Sequence, residues 1–334
     1  MKKYAIAMML ILGGLVLGLA QPALAVDFHF TVTADMRSNH TGFGNLLQAI
    51  NDECGGPGAF HVSIGDIDPI PQNRAQIDAK FGASAKWYPI IGNHEEETGA
   101  DMQWLRAEYD NANGSLDRAP LSDPSMTNAD GPVGTQRVCY TWDYGNAHFV
   151  AMNQYWNGGT TEGTGTDISK DDTAADGNVV AALRTWLAND LAANTKPFVF
   201  VFGHEPAFPQ NRHIGDSLDK YPANRDAFWQ VLEDADVQAY LVGHTHFYSA
   251  HLGDKNGIGD VWQFDAGNAG NDTNGDGHTF FDITVGSQSA TIDVWRNKTG
   301  SWVLTESFVV VPEPASLGLL AVGGLLALLR RRKN

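Results

Sequence analysis

The chain has 334 residues, and its 39 aspartates and glutamates outnumber its 22 lysines and arginines, which gives a formal net charge of −17 at pH 7. Such an acidic surface repels the phosphate backbone of DNA and RNA, so no nucleic acid is expected as a partner. Two cysteines, Cys54 and Cys139, are expected to form one disulfide if the chain is exported, and neither is expected to be catalytic.

The first 25 residues predict a secretory signal peptide. Lys2 and Lys3 precede an apolar run over residues 5–20, and Ala23-Leu24-Ala25 forms a small-x-small cleavage site. We therefore expect signal peptidase to cut after Ala25. The alternative is an uncleaved membrane anchor.

Strand and helix patterns alternate over much of the chain. Apolar and aromatic runs predict strands, whereas apolar side chains at helical spacing predict helices. The predicted strands are 28–33, 60–64, 87–91, two strands within 140–153, 198–202 and 240–242, and the predicted helices are 45–53, 97–109, 178–193 and 227–233. Residues 111–136 and 158–177 are predicted loops. From residue 261 onward the pattern changes to short β segments, including 279–285 and 289–295.

The C-terminal residues resemble a sorting signal. Pro312-Glu313-Pro314 precedes an apolar run over residues 315–329 and a basic cluster over residues 330–333. This pattern is similar to the PEP-CTERM signal of exopolysaccharide-producing Gram-negative bacteria, which implies removal by an exosortase. The apolar run predicts a short transmembrane segment with the basic tail in the cytoplasm, and a plain tail anchor is the alternative.

The residues between these two ends predict one domain, residues 26–311, and its strand signals are followed by candidate metal ligands. In chain order these are Asp35, Asp66, Asn93, His204, His244 and His246. Glycine precedes Asp66, Asn93, His204 and His244, which lets the chain turn tightly at a strand end. Carboxylate, amide and imidazole groups suit manganese, iron or zinc. The pattern therefore predicts a metal site built from loops.

The order of these motifs resembles that of the calcineurin-like metallophosphoesterases, most closely their purple-acid-phosphatase-like branch. The motifs are Gly65-Asp66, Gly92-Asn93-His94-Glu95, Gly203-His204 and Gly243-His244-Thr245-His246, and the resemblance runs from about residue 28 to about residue 295. It implies an α/β fold, a four-layer αββα sandwich of two mixed β-sheets flanked by helices.

The resemblance also implies a role for each matched residue. Asp66 would bridge two divalent or trivalent metal ions, manganese, iron or zinc. Asn93, His204 and His244 would complete one site, whereas Asp35 and His246 would complete the other. A metal-bound hydroxide would attack the phosphorus of a phosphate ester, and His94 would protonate the leaving oxygen as general acid.

Three positions depart from the family pattern. Arg37 stands where most members have the histidine of an Asp-x-His motif, and Pro69 stands where purple acid phosphatases have a tyrosine. Either His40 or Asp68 completes the second metal site, or its ion is weakly held. Arg37 is predicted either to bind a substrate phosphate or to form a surface salt bridge. Glu205 replaces a second histidine, so other side chains are expected at the rim. The candidates are His213, Tyr155, Trp156 and Tyr248.

One further run resembles the start of a calcium-binding loop. Residues 272–277 fit the pattern D-x-N-x-D-G, but position twelve is Ile283 instead of glutamate. A polar turn is therefore the favoured interpretation.

Two functions are consistent with these observations. The leading hypothesis is an exported, metal-dependent phosphoesterase that hydrolyses phosphomonoesters or phosphodiesters. The alternative is a non-catalytic surface or extracellular-matrix protein that retains a partial metal site. The expected location is the periplasm, cell surface or extracellular matrix of a Gram-negative bacterium, with transient membrane anchoring and an association with the exopolysaccharide matrix.

Overall fold

The computed structural model describes residues 27–97, 99–109, 128–135, 138–159, 177–253, 261–270 and 274–312. The predicted signal peptide and nearly all of the predicted sorting signal lie outside these residues, as does most of the two predicted loops. The prediction of one domain over residues 26–311 stays a prediction.

Strands and helices follow the sequence pattern closely. The strands are β1 Phe28–Ala34, β2 His61–Ile64, β3 Trp87–Ile90, β4 Asn128–Asp130, β5 Tyr140–Tyr144, β6 Ala147–Ala151, β7 Phe198–Phe202, β8 Ala239–Val242, β9 Tyr248–Gly253, β10 Val261–Ala266, β11 His278–Val285, β12 Ala290–Asn297 and β13 Val303–Val310. The helices are α1 His40–Cys54, α2 Ile70–Phe81, α3 Asn93–Glu97, α4 Gly99–Tyr109, α5 Ala181–Ala193 and α6 Pro222–Asp234.

The strands form two mixed sheets. The first has the order β13-β12-β11-β1-β2-β3, and the second has the order β4-β5-β6-β7-β8-β10-β9. β1, β2 and β3 are parallel, and so are β6, β7, β8 and β10. Because parallel strands end at the same edge of a sheet, the loops that follow them converge.

The inner faces of the two sheets meet in an aromatic core. Phe30 of the first sheet and Phe149 of the second have ring centroids 5.3 Å apart, and Tyr88 stacks on Trp142 at 3.9 Å. All four of these side chains are fully buried. Such ring pairs stabilise the core beyond the effect of their buried area.

Helices cover the outer face of each sheet. Apolar side chains of α1, α2 and α4 pack in one cluster with Trp87 and Phe280 of the first sheet. Side chains of α5 and α6 pack in another cluster with Val199 and Tyr240 of the second sheet. The predicted four-layer αββα sandwich is therefore confirmed.

Several predicted elements differ in extent. α1 begins at His40, five residues before the predicted start, because the Asn39 side chain accepts a hydrogen bond from the Gly42 amide and caps the helix. The helix predicted over residues 97–109 is preceded by the separate short helix α3. α2 and β9 were not among the predicted elements, and β4 lies within a predicted loop. β10 and β13 lie in the stretch from residue 261 onward, where short β segments were predicted without individual bounds for these two.

Two expectations are wrong. The expected disulfide between Cys54 and Cys139 is not formed, and both are free thiols. Cys54 packs against the helices that cover the first sheet, and Cys139 is buried under the helices that cover the second.

The predicted transmembrane segment is the second wrong expectation. No helix within the described ranges has the length and apolar character needed to cross a membrane, and the run 315–329 itself lies outside those ranges.

Candidate metal centre

The six predicted ligands lie at strand ends along one edge of the sandwich. Asp35 directly follows β1, and Asp66 is two residues beyond β2. Asn93 is the first residue of α3, His204 is two residues beyond β7, and His244 is two residues beyond β8. His246 lies on the same loop as His244. The two sheets therefore contribute to one site.

Glycines beside the ligands allow the loops to approach one another. A Cβ atom on Gly65 would lie 2.2 Å from His204 Nδ1, and one on Gly243 would lie 2.5 Å from Asp35 Oδ2. A Cβ atom on Gly92 would lie 2.3 Å from the Asp66 amide nitrogen. Because no side chain fits at these distances, the glycines are required by close packing as well as by the turns.

Four of the candidate ligands have left-handed backbone conformations. The φ angles are 54° at Asp35, 51° at Asp66, 71° at His244 and 59° at His246. This region is uncommon for residues other than glycine, and it persists only where surrounding contacts enforce it. Such conformations cluster at functional sites, which marks these loop ends as more than ordinary turns.

The ligand atoms of three residues lie close enough to share one cation. Single ligand atoms of Asp35, Asp66 and His204 are all within 4.8 Å of one another, and all three residues are buried. His204 Nε2 is 3.3 Å from Asp66 Oδ1 and 3.9 Å from Asp35 Oδ1. His246 Nε2 is 3.3 Å from Asp35 Oδ1, and the ring of His244 lies 5.1 Å from that of His204.

The donor atoms of this centre fit metal ions. Asp35 Oδ1, Asn93 Oδ1, His204 Nε2 and His244 Nε2 are buried and have no hydrogen-bond partner among the described residues. An unpartnered buried polar atom is costly. Each of these atoms can offer a lone pair to a cation, the imidazole nitrogens once they have lost a proton to the solvent. The oxygen and imidazole donors match manganese, iron or zinc.

The charges of the centre also favour a cation. Burial alone would raise the pKa of Asp66, but His204, His94 and His244 outweigh it and lower that pKa below its usual value. Burial opposes protonation of His204, yet Asp66 and Asp35 raise the pKa of its imidazole to about 10. Burial and His204 hold the pKa of His244 well below its usual range. Two buried carboxylates thus attract positive charge to this point.

Glu95 fixes the loop that carries Asp66, a role that the sequence did not predict. Its fully buried carboxylate accepts hydrogen bonds from the amides of Asp66 (2.9 Å), Ile67 (2.6 Å) and Gly92 (2.7 Å). Burial and the charge of Asp66 raise the pKa of Glu95 well above its usual value. The only sequence signal is its place in the run Gly92-Asn93-His94-Glu95, because the partners Asp66 and Ile67 are distant in the chain.

A second buried carboxylate supports the loop with His244 and His246. Asp265 Oδ2 accepts a hydrogen bond from the Thr245 hydroxyl at 2.6 Å, and Asp265 Oδ1 accepts one from the Gly267 amide at 2.9 Å. His244 is held from the other side, since its amide donates to Asp35 Oδ2 at 2.9 Å. Metal sites commonly depend on such outer contacts to orient their ligands.

The two predicted catalytic residues border the centre. His94 Nε2 lies 3.6 Å from Asp66 Oδ2, and its side chain is 23% exposed. Arg37 has a left-handed φ of 40°, and its Nε lies 3.4 Å from Asp68 Oδ1. The salt bridge predicted as one alternative for Arg37 is therefore present.

Both candidates for an extra ligand have other partners. His40 Nδ1 lies 3.1 Å from Asn73 Oδ1, and Asp68 pairs with Arg37. Of the four rim candidates, His213 contacts the centre: its ring stacks on that of His244 with centroids 4.0 Å apart. Tyr155 and Trp156 are buried, and the Tyr248 hydroxyl bonds Glu306.

The calcium-like run forms a polar turn in its described part, residues 274–277. Asp276 Oδ2 accepts hydrogen bonds from the Tyr248 amide and the Arg296 guanidinium, and Lys298 Nζ lies 3.2 Å from Asp276 Oδ1. Arg296 and Lys298 thus already pair with the carboxylate that a calcium ion would need. Asp272 and Thr273 lie outside the described residues.

Comparison with known proteins gives the family of this fold and site. The family of calcineurin-like phosphoesterases matches residues 28–248, and the PEP-CTERM protein-sorting motif matches residues 310–333. The chain therefore belongs to the calcineurin-like phosphoesterase family and carries a PEP-CTERM motif. No match in sequence was found among curated proteins.

Solved structures share the fold at low sequence identity. A purple acid phosphatase, PPD1 from yellow lupin (Lupinus luteus) seeds, is 14% identical with a TM-score of 0.55, and the match covers 87% of this chain and 55% of that one. PhoD is 13% identical with a TM-score of 0.55, and coverage is 86% and 71%. GAP50, the anchor in the inner membrane complex of Plasmodium, is 12% identical with a TM-score of 0.53, and coverage is 86% and 89%.

Proposed function

We propose that the protein is a metal-dependent phosphoesterase that hydrolyses phosphomonoesters or phosphodiesters. The observation that carries this proposal is the set of buried carboxylate, amide and imidazole atoms without hydrogen-bond partners among the described residues, gathered at converging loops. Membership in the calcineurin-like phosphoesterase family supports the reaction class.

In this proposal the chain holds two metal ions that share Asp66. Asn93, His204 and His244 complete one site, and Asp35 and His246 complete the other. Manganese, iron or zinc suits these donors. When bound, the ions supply the positive charge that activates a water molecule and neutralises the reacting phosphate.

His94 is the proposed proton donor to the leaving oxygen. It borders the centre through Asp66 and is 23% exposed, so it lies between the buried ligands and the solvent from which substrate arrives. Protonating the leaving oxygen avoids the release of an alkoxide. A positioned general acid of this kind is worth roughly 10²–10⁴ in rate.

Arg37 is the proposed phosphate-binding residue. Its side chain is 38% exposed, and its contact to Asp68, at 3.4 Å, is a partly exposed salt bridge that is weak by itself. A guanidinium binds phosphate oxygens through two parallel N–H groups. We infer that Arg37 exchanges Asp68 for the substrate phosphate.

Export is part of the proposal. The PEP-CTERM motif supports processing by an exosortase after signal peptidase has removed residues 1–25. The working protein would then be the domain of residues 26–311, separated from the sorting segment 312–334. Its destination would be the periplasm, the cell surface or the extracellular matrix, where it would associate with exopolysaccharide.

Hydrolysis of generic aryl phosphates tests the proposed activity. Purified protein with added Mn²⁺ should hydrolyse an aryl phosphate monoester or diester. His94→Ala should lower kcat by roughly 10²–10⁴ because the general acid is lost. His251→Ala is the matched control, since His251 lies on β9, its ring contacts that of Phe208 at 4.9 Å, and it is not a candidate ligand.

The contrary result is equally informative. If wild-type protein hydrolyses neither ester faster than His204→Ala, the enzyme proposal is wrong. Metal binding without turnover would then favour the other function, a non-catalytic surface or matrix protein that retains a partial metal site. The ratio of monoester to diester rates in an active protein gives the substrate class.

A further inference from the structure

Gln154 contacts the backbone of the candidate ligand His204 directly. It lies three residues beyond the end of β6, and its side chain is buried. Its Oε1 atom accepts hydrogen bonds from two successive amides, those of His204 at 2.6 Å and Glu205 at 2.7 Å. One side-chain oxygen thus fixes both peptide groups that flank the His204 side chain.

The other end of the Gln154 amide closes the network. Gln154 Nε2 donates to the Tyr240 hydroxyl at 2.6 Å and to the Glu205 carbonyl at 3.3 Å. The Tyr240 hydroxyl in turn donates to the same Glu205 carbonyl at 2.8 Å. All of these residues are buried, so any bond that is broken leaves a polar group without water.

Gly203 makes this arrangement possible. A Cβ atom at Gly203 would lie 2.6 Å from the Tyr240 hydroxyl oxygen and 2.8 Å from Gln154 Cδ. The glycine before His204 therefore makes room for the two side chains beneath the turn. Gly203 is thus required by close packing as well as by the turn.

The backbone contacts decide where the His204 ring points. Its Nδ1 lies 3.3 Å from the Ile64 carbonyl oxygen, and its Nε2 lies 3.3 Å from Asp66 Oδ1. The ring is fully buried, so a rotation of the His204 peptide would move Nε2 away from the carboxylates of Asp35 and Asp66. A displacement of about 1 Å is enough to spoil a preorganised site.

We propose that Gln154 is a positioning residue that sets the metal affinity of the centre by fixing the backbone of His204. The proposal rests on the metal-dependent function proposed above. Groups that orient metal ligands from the outer shell typically contribute 10–100-fold in metal affinity. The side chain of Gln154 bonds the backbone of His204 and Glu205 and the Tyr240 hydroxyl, so its effect on the centre runs through His204.

A second glutamine, Gln263 on β10, provides a matched control. Gln263 is also fully buried, and its Oε1 atom accepts hydrogen bonds from the successive amides of Ala207 at 2.8 Å and Phe208 at 3.0 Å. Its Nε2 atom donates to the Phe208 carbonyl at 2.9 Å. Gln263 therefore holds the chain by the same chemistry a few residues beyond the ligand.

Calorimetric titration with Mn²⁺ compares the two glutamines in the full-length protein. Gln154→Leu should raise the Kd for Mn²⁺ by about 10–100-fold, whereas Gln263→Leu should leave it unchanged. Gln154→Glu should keep the Kd near the wild-type value, because a carboxylate oxygen still accepts both amides. Equal Kd changes in the two leucine variants, or no change in Gln154→Leu, would overturn the proposal.

Hydrogen exchange without metal provides a second, independent readout. The amides of His204 and Glu205 should exchange faster in Gln154→Leu, and those of Ala207 and Phe208 should exchange faster in Gln263→Leu. Unchanged exchange at His204 in Gln154→Leu would contradict the positioning role. If wild-type protein binds no Mn²⁺, the proposed function fails, while the exchange result still decides whether Gln154 fixes this turn.

Discussion

Two clusters of histidine and aspartate differ in how their atoms are paired. In the first, His148 Nδ1 lies 2.6 Å from Asp143 Oδ1 and His148 Nε2 lies 2.8 Å from Asp190 Oδ2, so both ring nitrogens have partners. In the candidate metal centre, the Nε2 atoms of His204 and His244 have no hydrogen-bond partner among the described residues.

The backbones of the two clusters differ as well. Asp143, His148 and Asp190 lie within the regular elements β5, β6 and α5. Asp66 and His244 lie in loops with left-handed φ angles. The same residue types therefore serve two purposes: the paired cluster stabilises the fold, whereas the centre keeps lone pairs available for a cation.

The largest expected effect comes from removing a ligand of the centre. His204→Ala should raise the Kd for Mn²⁺ by more than the roughly 10–100-fold that follows loss of an outer-shell partner. Hydrolytic activity should fall with it. Calorimetric titration measures the change, with His148→Leu as the control, since His148 lies in the other cluster. An unchanged Kd in His204→Ala would mean that His204 does not bind the metal, and the two clusters would then not differ in metal binding.

Substitution of His148 in the paired cluster should instead lower the stability of the fold. His148→Leu leaves Asp143 and Asp190, whose side chains are 21% and 15% exposed, without their shared cation. Because the cluster is only partly buried, the cost should lie between about 1 kcal/mol for an exposed pair and about 3–5 kcal/mol for a fully buried one. Urea unfolding should show this loss in free energy of unfolding, while the Kd for Mn²⁺ stays at the wild-type value. A loss below about 1 kcal/mol, the level of an exposed pair, would show that the paired cluster is not a major support.

The paired cluster also predicts how stability depends on pH. Burial lowers the pKa of His148, but hydrogen bonds to Asp143 and Asp190 outweigh it and raise that pKa to about 9. A histidine with a raised pKa stabilises the folded state fully below its unfolded value near 6.5, and this contribution is lost as the pH rises through about 9.

The contribution of His148 is on the order of 3 kcal/mol. The free energy of unfolding of wild-type protein should therefore fall between pH 6 and pH 10 by about this amount more than that of His148→Leu. Parallel curves for the two proteins would mean that the imidazole is not held as a cation.

The smallest expected effect comes from alanine substitutions at two glycines. It separates the cost of backbone strain from the effect of close packing against a ligand. Gly65 and Gly55 both have left-handed φ angles, 59° and 76°, so alanine at either position should cost about 1–2 kcal/mol. A Cβ atom on Gly65 would also lie 2.2 Å from His204 Nδ1, whereas one on Gly55 meets nothing within 4 Å. Only Gly65→Ala should weaken Mn²⁺ binding, and equal Kd values for the two variants would contradict this.

The sequence signal for the candidate ligands is local, and the structure brings Asp35, Asp66 and His204 together. Each candidate ligand follows an apolar strand, and glycine precedes Asp66, Asn93, His204 and His244. Parallel strands that end at one edge bring such residues together without further information. The helices α5 and α6 were predicted for the same reason, since apolar spacing within one element is enough to identify them. The arrangement of the strands in two sheets was implied by the family resemblance.

Other features were missed because they depend on distant contacts. α2 buries Asn73 and Arg74 along with Ile70 and Ile77, so its apolar pattern is weak. The supporting glutamine Gln154 has partners about 50 and 86 residues away in the chain. The disulfide expectation failed because the two cysteines lie in separate clusters, which no spacing in the sequence reveals.

The position of β1 has a consequence for how the protein acquires metal. β1 lies between β2 and β11, and Phe28 pairs with Val285. When synthesis has reached His246, the chain contains all six candidate ligands. β1, the strand that leads to Asp35, then still lacks its neighbour β11. This strand thus gains its second neighbour only after β11 has been synthesised. For a protein that folds after export, metal loading would then take place in the compartment of destination, with the metals available there.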